Sequence, residues 1–137
     1  MSAVLVDSNV ILDIVSHDPV WSDWSSAQLR QAADVSRLVI NPIVFGEVSV
    51  RYSRIEDLDA DLPRSLIDRE AIPYEAAFMA GKVFAAYRGR GGDKRSPLAD
   101  FFIGAHASVA GYTLLTRDLR RYRTNYPNLP LIAPAKD

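Results

Sequence analysis

Four carboxylates could do chemistry together, and two of them, Glu47 and Asp100, stand in mostly apolar stretches that give them few partners. Asp7 closes the run Ala3-Val4-Leu5-Val6, and Glu47 lies within Ile43-Val44-Phe45-Gly46-Glu47-Val48. Asp100 lies within Leu98-Ala99-Asp100-Phe101-Phe102-Ile103, and Asp118 follows Tyr112-Thr113-Leu114-Leu115-Thr116-Arg117. A carboxylate in apolar surroundings is costly, so such groups are usually paired or bound to a metal. Arg51 is the only basic residue within four positions of Glu47, and none follows Asp100 before Arg117. Brought together, the four acids repel one another unless a cation sits between them. Mg²⁺ and Mn²⁺ suit such a set, because hard cations take carboxylate oxygens and keep several waters. With no cysteine and only His17 and His106, the chain does not suit zinc. A hard ion held this way can activate water and neutralise charge on a phosphodiester during in-line attack. Ser8, Asn9 and Thr116 flank two of the acids and can orient a carboxylate, a metal-bound water or a phosphate oxygen.

Each acid also has a plainer reading. Asp7 and Asp118 are good helix caps. Asp100 complements the dipole at a helix start. Glu47 can pair with Arg51 one turn on. Only the four together carry a signal.

The elements that would position these residues follow from periodicity and punctuation. Ala3–Val6 is a short continuous apolar run, as expected of a strand buried on both faces. Asp7 or Ser8 starts a helix through Ile14, and a second helix is expected over residues 22–34. Residues 37–40 are strand-like, and a helix carrying Glu47 follows Asn41-Pro42. Residues 56–69 read as an acidic helix, with Leu58, Leu62 and Leu66 at four-residue spacing and Pro63 as its break. Ala71-Ile72 is expected to be a short strand, Tyr74 to Tyr87 a helix. Ser96 as cap and Pro97 at the first position open the Asp100 helix, which Gly111 stops. Residues 112–115 and 131–132 complete the strands. Short apolar strands alternating with helices indicate one α/β domain over residues 1–137, a central parallel sheet flanked by helices. In such sheets ligands bind beyond the carboxyl ends of the strands, where Asp7 and Asp118 fall.

Composition bounds the function. The 137 residues suit one domain, and 48% hydrophobic with 24% charged residues is ordinary for a globular chain. No apolar run is long enough to span a bilayer and the start lacks a signal-peptide pattern, so a cytoplasmic location is expected. The net charge of −1 conceals an asymmetry: residues 1–81 carry 13 acidic and 6 basic residues, residues 82–137 carry 4 and 10. The basic half can attract a polyanion. Gly89-Arg90-Gly91-Gly92-Asp93-Lys94-Arg95 is a glycine-rich basic loop, but it lacks the Gly-Lys-Ser/Thr ending of a P-loop and follows a helix. Arg90, Lys94 and Arg95, with Arg117 beside Asp118, are candidates to grip RNA phosphates. His106, six residues after Asp100, lies about 240° round the helix and reads as structural.

The stretches Val4-Leu5-Val6-Asp7-Ser8-Asn9-Val10, the Glu47 helix, Ser96-Pro97-Leu98-Ala99-Asp100-Phe101-Phe102-Ile103-Gly104-Ala105-His106-Ala107 and Leu114-Leu115-Thr116-Arg117-Asp118 resemble, in order and spacing, the PIN-domain family and within it the VapC toxins of toxin–antitoxin pairs. The resemblance runs from about residue 3 to Pro134. It implies an endoribonuclease dependent on Mg²⁺ or Mn²⁺, with Asp7, Glu47, Asp100 and Asp118 at the metal site. It also implies a homodimer, a VapB-like cognate antitoxin that wraps the toxin and inhibits it, and tRNA or ribosomal RNA as substrate.

Other classes fit less well. An aspartate-based phosphatase of the haloacid dehalogenase type needs a second Asp two residues after the first, where Asn9 stands. A phosphoacceptor receiver needs an Asp after a middle strand and a late Lys, which Asn41 and Lys136 do not supply. A non-catalytic RNA- or protein-binding PIN module is opposed by the complete set of four acids.

Overall fold

A computed structural model of the chain describes residues 2–92 and 98–135. The expected cap Ser96, its neighbour Pro97 and the basic residues Lys94 and Arg95 lie outside the described residues. The chain runs β1 (Ala3–Val6), α1 (Ser8–Val15), α2 (Ser22–Val35), β2 (Arg37–Ile40), α3 (Pro42–Ser49), α4 (Ile55–Asp61), β3 (Ile67–Arg69), α5 (Tyr74–Gly89), α6 (Leu98–Ala110), β4 (Thr113–Leu115), α7 (Leu119–Asn125) and β5 (Leu131–Ile132). The five strands form one parallel sheet in the order β3-β2-β1-β4-β5.

β1 is central, and all four of its residues are buried. Val4 aligns with Leu38 on one side and Thr113 on the other, Leu5 with Val39 and Leu114. The chain winds outward from β1 through β2 to β3, then returns to lay β4 and β5 on the opposite side. The winding direction therefore reverses at β1. A crevice opens at that reversal, beyond the carboxyl ends of β1 and β4.

Local chemistry fixes the helix starts. Asp7 caps α1 by accepting from the Ser8 amide, and Asn41 caps α3 by accepting from the Val44 amide with Pro42 in the first turn. α6 is the most buried helix. Phe101 packs edge-on to Phe84 at 5.2 Å and against Tyr87 at 5.4 Å. Gly104 lets α6 approach the Tyr126 ring, since a Cβ at Gly104 would meet it at 2.5 Å. Tyr126 then donates its hydroxyl to the Phe101 carbonyl at 2.7 Å. These contacts set the depth of the helix that carries Asp100.

The expected strand at Ala71-Ile72 is corrected to Ile67–Arg69, within the span read as helix. α4 stops at Asp61 ahead of Pro63, and Leu38–Ile40 then pairs with Ile67–Arg69. β3 is an edge strand and can carry charges that find partners: Asp68 pairs with Arg37 at 2.7 Å, and Arg69, laid over Phe45, pairs with Asp59 at 2.9 Å. Its sequence consequently lacks the apolar run that marks β1. His106 is structural, as its phase on α6 suggests: Asn41 donates to Nδ1 at 3.0 Å, leaving Nε2 facing Glu70 at 3.5 Å. No helix among the described residues is long and apolar enough to cross a membrane.

Candidate metal centre

Asp7 leaves β1 at the crevice and is 2% exposed. Its Oδ1 accepts from the Ser8 amide at 2.7 Å, and its Oδ2 accepts from Thr116 Oγ1 at 2.8 Å and Asn9 Nδ2 at 3.4 Å. Burial raises its pKa, and these donors only partly offset that; the nearby Glu47 charge adds to the rise. Tyr122 turns its buried hydroxyl toward Asp7 without reaching hydrogen-bond geometry, so it acts there as a dipole.

Glu47 is tied to Asp7 through Ser8, whose hydroxyl donates to Glu47 Oε1 at 2.7 Å and lies 3.5 Å from Asp7 Oδ1. The Glu47–Arg51 pair that the sequence allows does not form. Thr116 links the other pair of acids. While donating to Asp7, its Oγ1 accepts from the Asp118 amide at 3.0 Å. Asn9 closes the same loop by accepting from the Arg117 amide at 3.2 Å. Ser8, Asn9 and Thr116 thus set the directions of the carboxylates, as their positions beside the acids suggest.

Asp100 enters from α6 and is 6% exposed. Burial pushes its pKa up to about 6; Arg121 opposes the rise, and the charges of Asp7, Glu47 and Asp118 reinforce it. Mutual influence of this kind brings the four acids into one electrostatic cluster. Asp118 caps α7 by accepting from the Arg121 amide at 3.2 Å. Its capping role and its place in the cluster coexist.

Among the described residues, Arg121 is the cation that pairs with this cluster. Its Nη1 lies 2.8 Å from Asp100 Oδ2 and its Nε 3.1 Å from Asp118 Oδ2. The Asp100 contact is an ion pair off the N–H line, so that buried oxygen still lacks a hydrogen bond. Among the described residues no three acidic or histidine side chains surround a common point as direct ligands. Mg²⁺ commonly binds through one or two carboxylates and keeps its waters. The donor set, all hard oxygens with an orphaned Asp100 Oδ2, therefore fits such an ion.

The PIN domain family profile matches residues 4–125. The chain belongs to the PIN domain family. No curated protein matches it. Among solved structures, this PIN domain is similar to a chain of VapBC2 from Rickettsia felis bound to a promoter DNA fragment, with a TM-score of 0.73 and 20% identity over 96% of this chain and 98% of that one. A chain of VapBC-1 from nontypeable Haemophilus influenzae gives 0.72 and 17% over 96% and 97%. One from DNA-bound VapBC of Salmonella typhimurium gives 0.70 and 17% over 97% and 98%. At these identities the likeness is one of fold.

The basic candidates separate in this PIN domain. Arg117 forks onto Asp13, with Nε to Oδ2 at 2.8 Å and Nη2 to Oδ1 at 3.0 Å, and its guanidinium lies over Trp21. Its charge is largely committed inside the protein. Arg90 bonds Asn125 Oδ1 at 3.1 Å and remains exposed. A polar cleft of about 530 Å³ opens beside Asp118, lined by Trp21, Arg117, Arg120 and Arg121. The sequence motifs point neither to Asp13 and Tyr122 nor to Arg121 as a partner of the carboxylates. Asp13 carries the signal that exposed Glu47, a charge among apolar helix residues. Arg121 stands three residues after Asp118, the spacing of a helical ion pair. Tyr122 has no such signal.

Proposed function

We propose that this PIN domain is the endoribonuclease toxin of a toxin–antitoxin pair, hydrolysing RNA phosphodiesters at the Asp7–Glu47–Asp100–Asp118 centre with Mg²⁺ or Mn²⁺. The carrying observation is the convergence of four carboxylates at the winding reversal with, among the described residues, a single arginine between them. Family membership supports the reading, since PIN domains are in general nucleases that use divalent ions. The similar solved chains come from VapBC complexes, which supports an antitoxin partner.

Asp7 and Asp100 would hold the ion, with Glu47 and Asp118 reaching it directly or through water. When bound, the ion supplies an activated water and neutralises charge on the phosphodiester. The chain supplies direction. Ser8 and Thr116 fix the Asp7 carboxylate, and one carboxylate of the set takes the proton of the attacking water. The water attacks phosphorus and the 3′-oxygen departs, leaving a 3′-hydroxyl and a 5′-phosphate. Arg120 and Arg90 remain exposed to meet RNA phosphates. An apolar groove of about 300 Å³ between Ile11, Ile14, Leu29, Leu62 and Ile67 is the kind of surface an amphipathic antitoxin segment covers. A homodimer and a cytoplasmic location complete the proposal.

The test is antitoxin-free protein incubated with tRNA and ribosomal RNA. Cleavage is expected with Mg²⁺ or Mn²⁺ and is expected to stop with EDTA. Metal-independent cutting would overturn the mechanism. RNA binding without cutting under any metal would instead make this a binding module.

A further inference from the structure

Arg121 occupies a contested position. Its guanidinium holds Asp100 Oδ2 at 2.8 Å and Asp118 Oδ2 at 3.1 Å, two of the four carboxylates assigned to the ion. Arginine keeps its charge at any working pH, so it cannot make way by losing a proton. We propose that Arg121 is a displaceable counter-cation: uptake of a divalent ion is an exchange in which the guanidinium leaves Asp100 and turns into the adjoining cleft, where a phosphate of the substrate would meet it. This rests on the metal-centre reading given above.

Three observations carry the exchange. First, the hold on Asp100 Oδ2 is an ion pair at 2.8 Å without an aligned hydrogen bond. A hard ion makes a better partner for that oxygen. Second, the side chain has somewhere to go. It is 42% exposed and borders open clefts on two sides, one of about 530 Å³ shared with Arg120 and Trp21 and one of about 320 Å³ shared with Tyr87 and Thr124. Third, departure leaves Asp118 oriented, since its Oδ1 is still held by the Arg121 backbone amide at 3.2 Å. The guanidinium can therefore move without dismantling the start of α7. Release also places a positive charge beside the cleft only when the centre is loaded, which couples ion binding to phosphate attraction.

Calorimetric titration with Mn²⁺ alone, on the full chain, tests the exchange. Arg121→Gln is expected to bind Mn²⁺ about tenfold tighter than the wild type, because two partly exposed pairs are worth up to roughly fivefold each. Arg121→Lys, which keeps a cation, is expected to stay within about threefold of the wild type. In the wild type, the Arg121 Nε–Hε resonance is expected to shift and exchange faster as Mg²⁺ is added. Equal or weaker Mn²⁺ binding by Arg121→Gln overturns the proposal. So does an Nε–Hε signal that Mg²⁺ leaves unmoved, a reading that needs no variant to fold. Asp100→Asn separates the two levels of failure. If the wild type binds Mn²⁺ and Asp100→Asn does not, an unchanged Arg121→Gln refutes only the exchange. If no form binds the ion, the metal centre itself fails.

Discussion

Two buried aspartates on or beside the same helix meet opposite fates. Asp13, on the inner side of α1, is 2% exposed and fully answered: Arg117 forks onto both oxygens and Ser25 donates to Oδ2 at 2.8 Å. Asp7, one turn and a half earlier, is equally buried but shares its surroundings with three more acids and, among the described residues, one arginine. Asp13 ties α1, α2 and the β4–α7 connection together. The Asp7 cluster also joins β1, α3 and the β4–α7 connection, but it does so with four like charges gathered together. Burial with a complete partner set reads as structure, and burial with surplus like charge reads as a site awaiting a cation.

The comparison can be broken by substitution. Asp7→Asn and Asp100→Asn are expected to lower RNA cleavage about a thousandfold or more, the several kcal/mol that a metal-held reacting phosphate is worth. In EDTA both variants should be at least as stable as the wild type in urea. Stability losses as large as those at Asp13 would erase the distinction. Asp13→Ala strands Arg117 and Ser25, and a loss of about 2–3 kcal/mol is expected in the same urea measurement, discounted because Arg117 is partly exposed.

The pH dependence should follow. Asp100 has a pKa of about 6 folded and 3.8 as an ordinary carboxyl, so the folded state binds the proton more tightly. Metal-free stability should therefore rise as pH falls through 6 and be fully gained below 3.8. After discounting for solvent at the crevice, the gain is about 1–2 kcal/mol. Asp100→Asn should flatten that part of the profile, and a profile unchanged by the substitution would exclude Asp100 as its source. The smallest contrast lies between two hydroxyls. Ser8→Ala should cost about tenfold in cleavage with little change in stability, whereas Ser25→Ala should cost about 1 kcal/mol of stability and leave cleavage unchanged.

Much of the carboxylate cluster is legible because Asp7, Glu47 and Asp100 interrupt or end apolar stretches and Asp118 closely follows one. β1 and β4 are buried on both faces, so their ends, and the aspartates beyond them, stand out in sequence. β3 was misplaced for the converse reason. An edge strand whose charges find partners can be written Ile-Asp-Arg and resembles a charged helix. Partnerships were less legible than positions. Spacing along the helix offers Glu47 only Arg51 as a plain partner, whereas its hydrogen bond comes from Ser8, 39 positions away. Arg117 read as an RNA contact from its charge, yet Asp13 claims it across 104 positions. Period and punctuation report what lies along one element, and tertiary pairing lies outside them.

The central place of β1 has a consequence for how the molecule comes into being. β1 is made first, but its second neighbour, β4, lies more than a hundred residues later, and Asp100 and Asp118 flank that strand. Pairing across so long a loop is slow, because closure entropy must be met before the contacts form. An N-terminal fragment ending before β4 holds Asp7, Glu47 and Asp100 but has one open edge on its central strand and lacks Asp118. The cluster is therefore completed only once β4 and the start of α7 are in place, so under the proposed function RNA cleavage is expected to appear in one step with completion of the sheet.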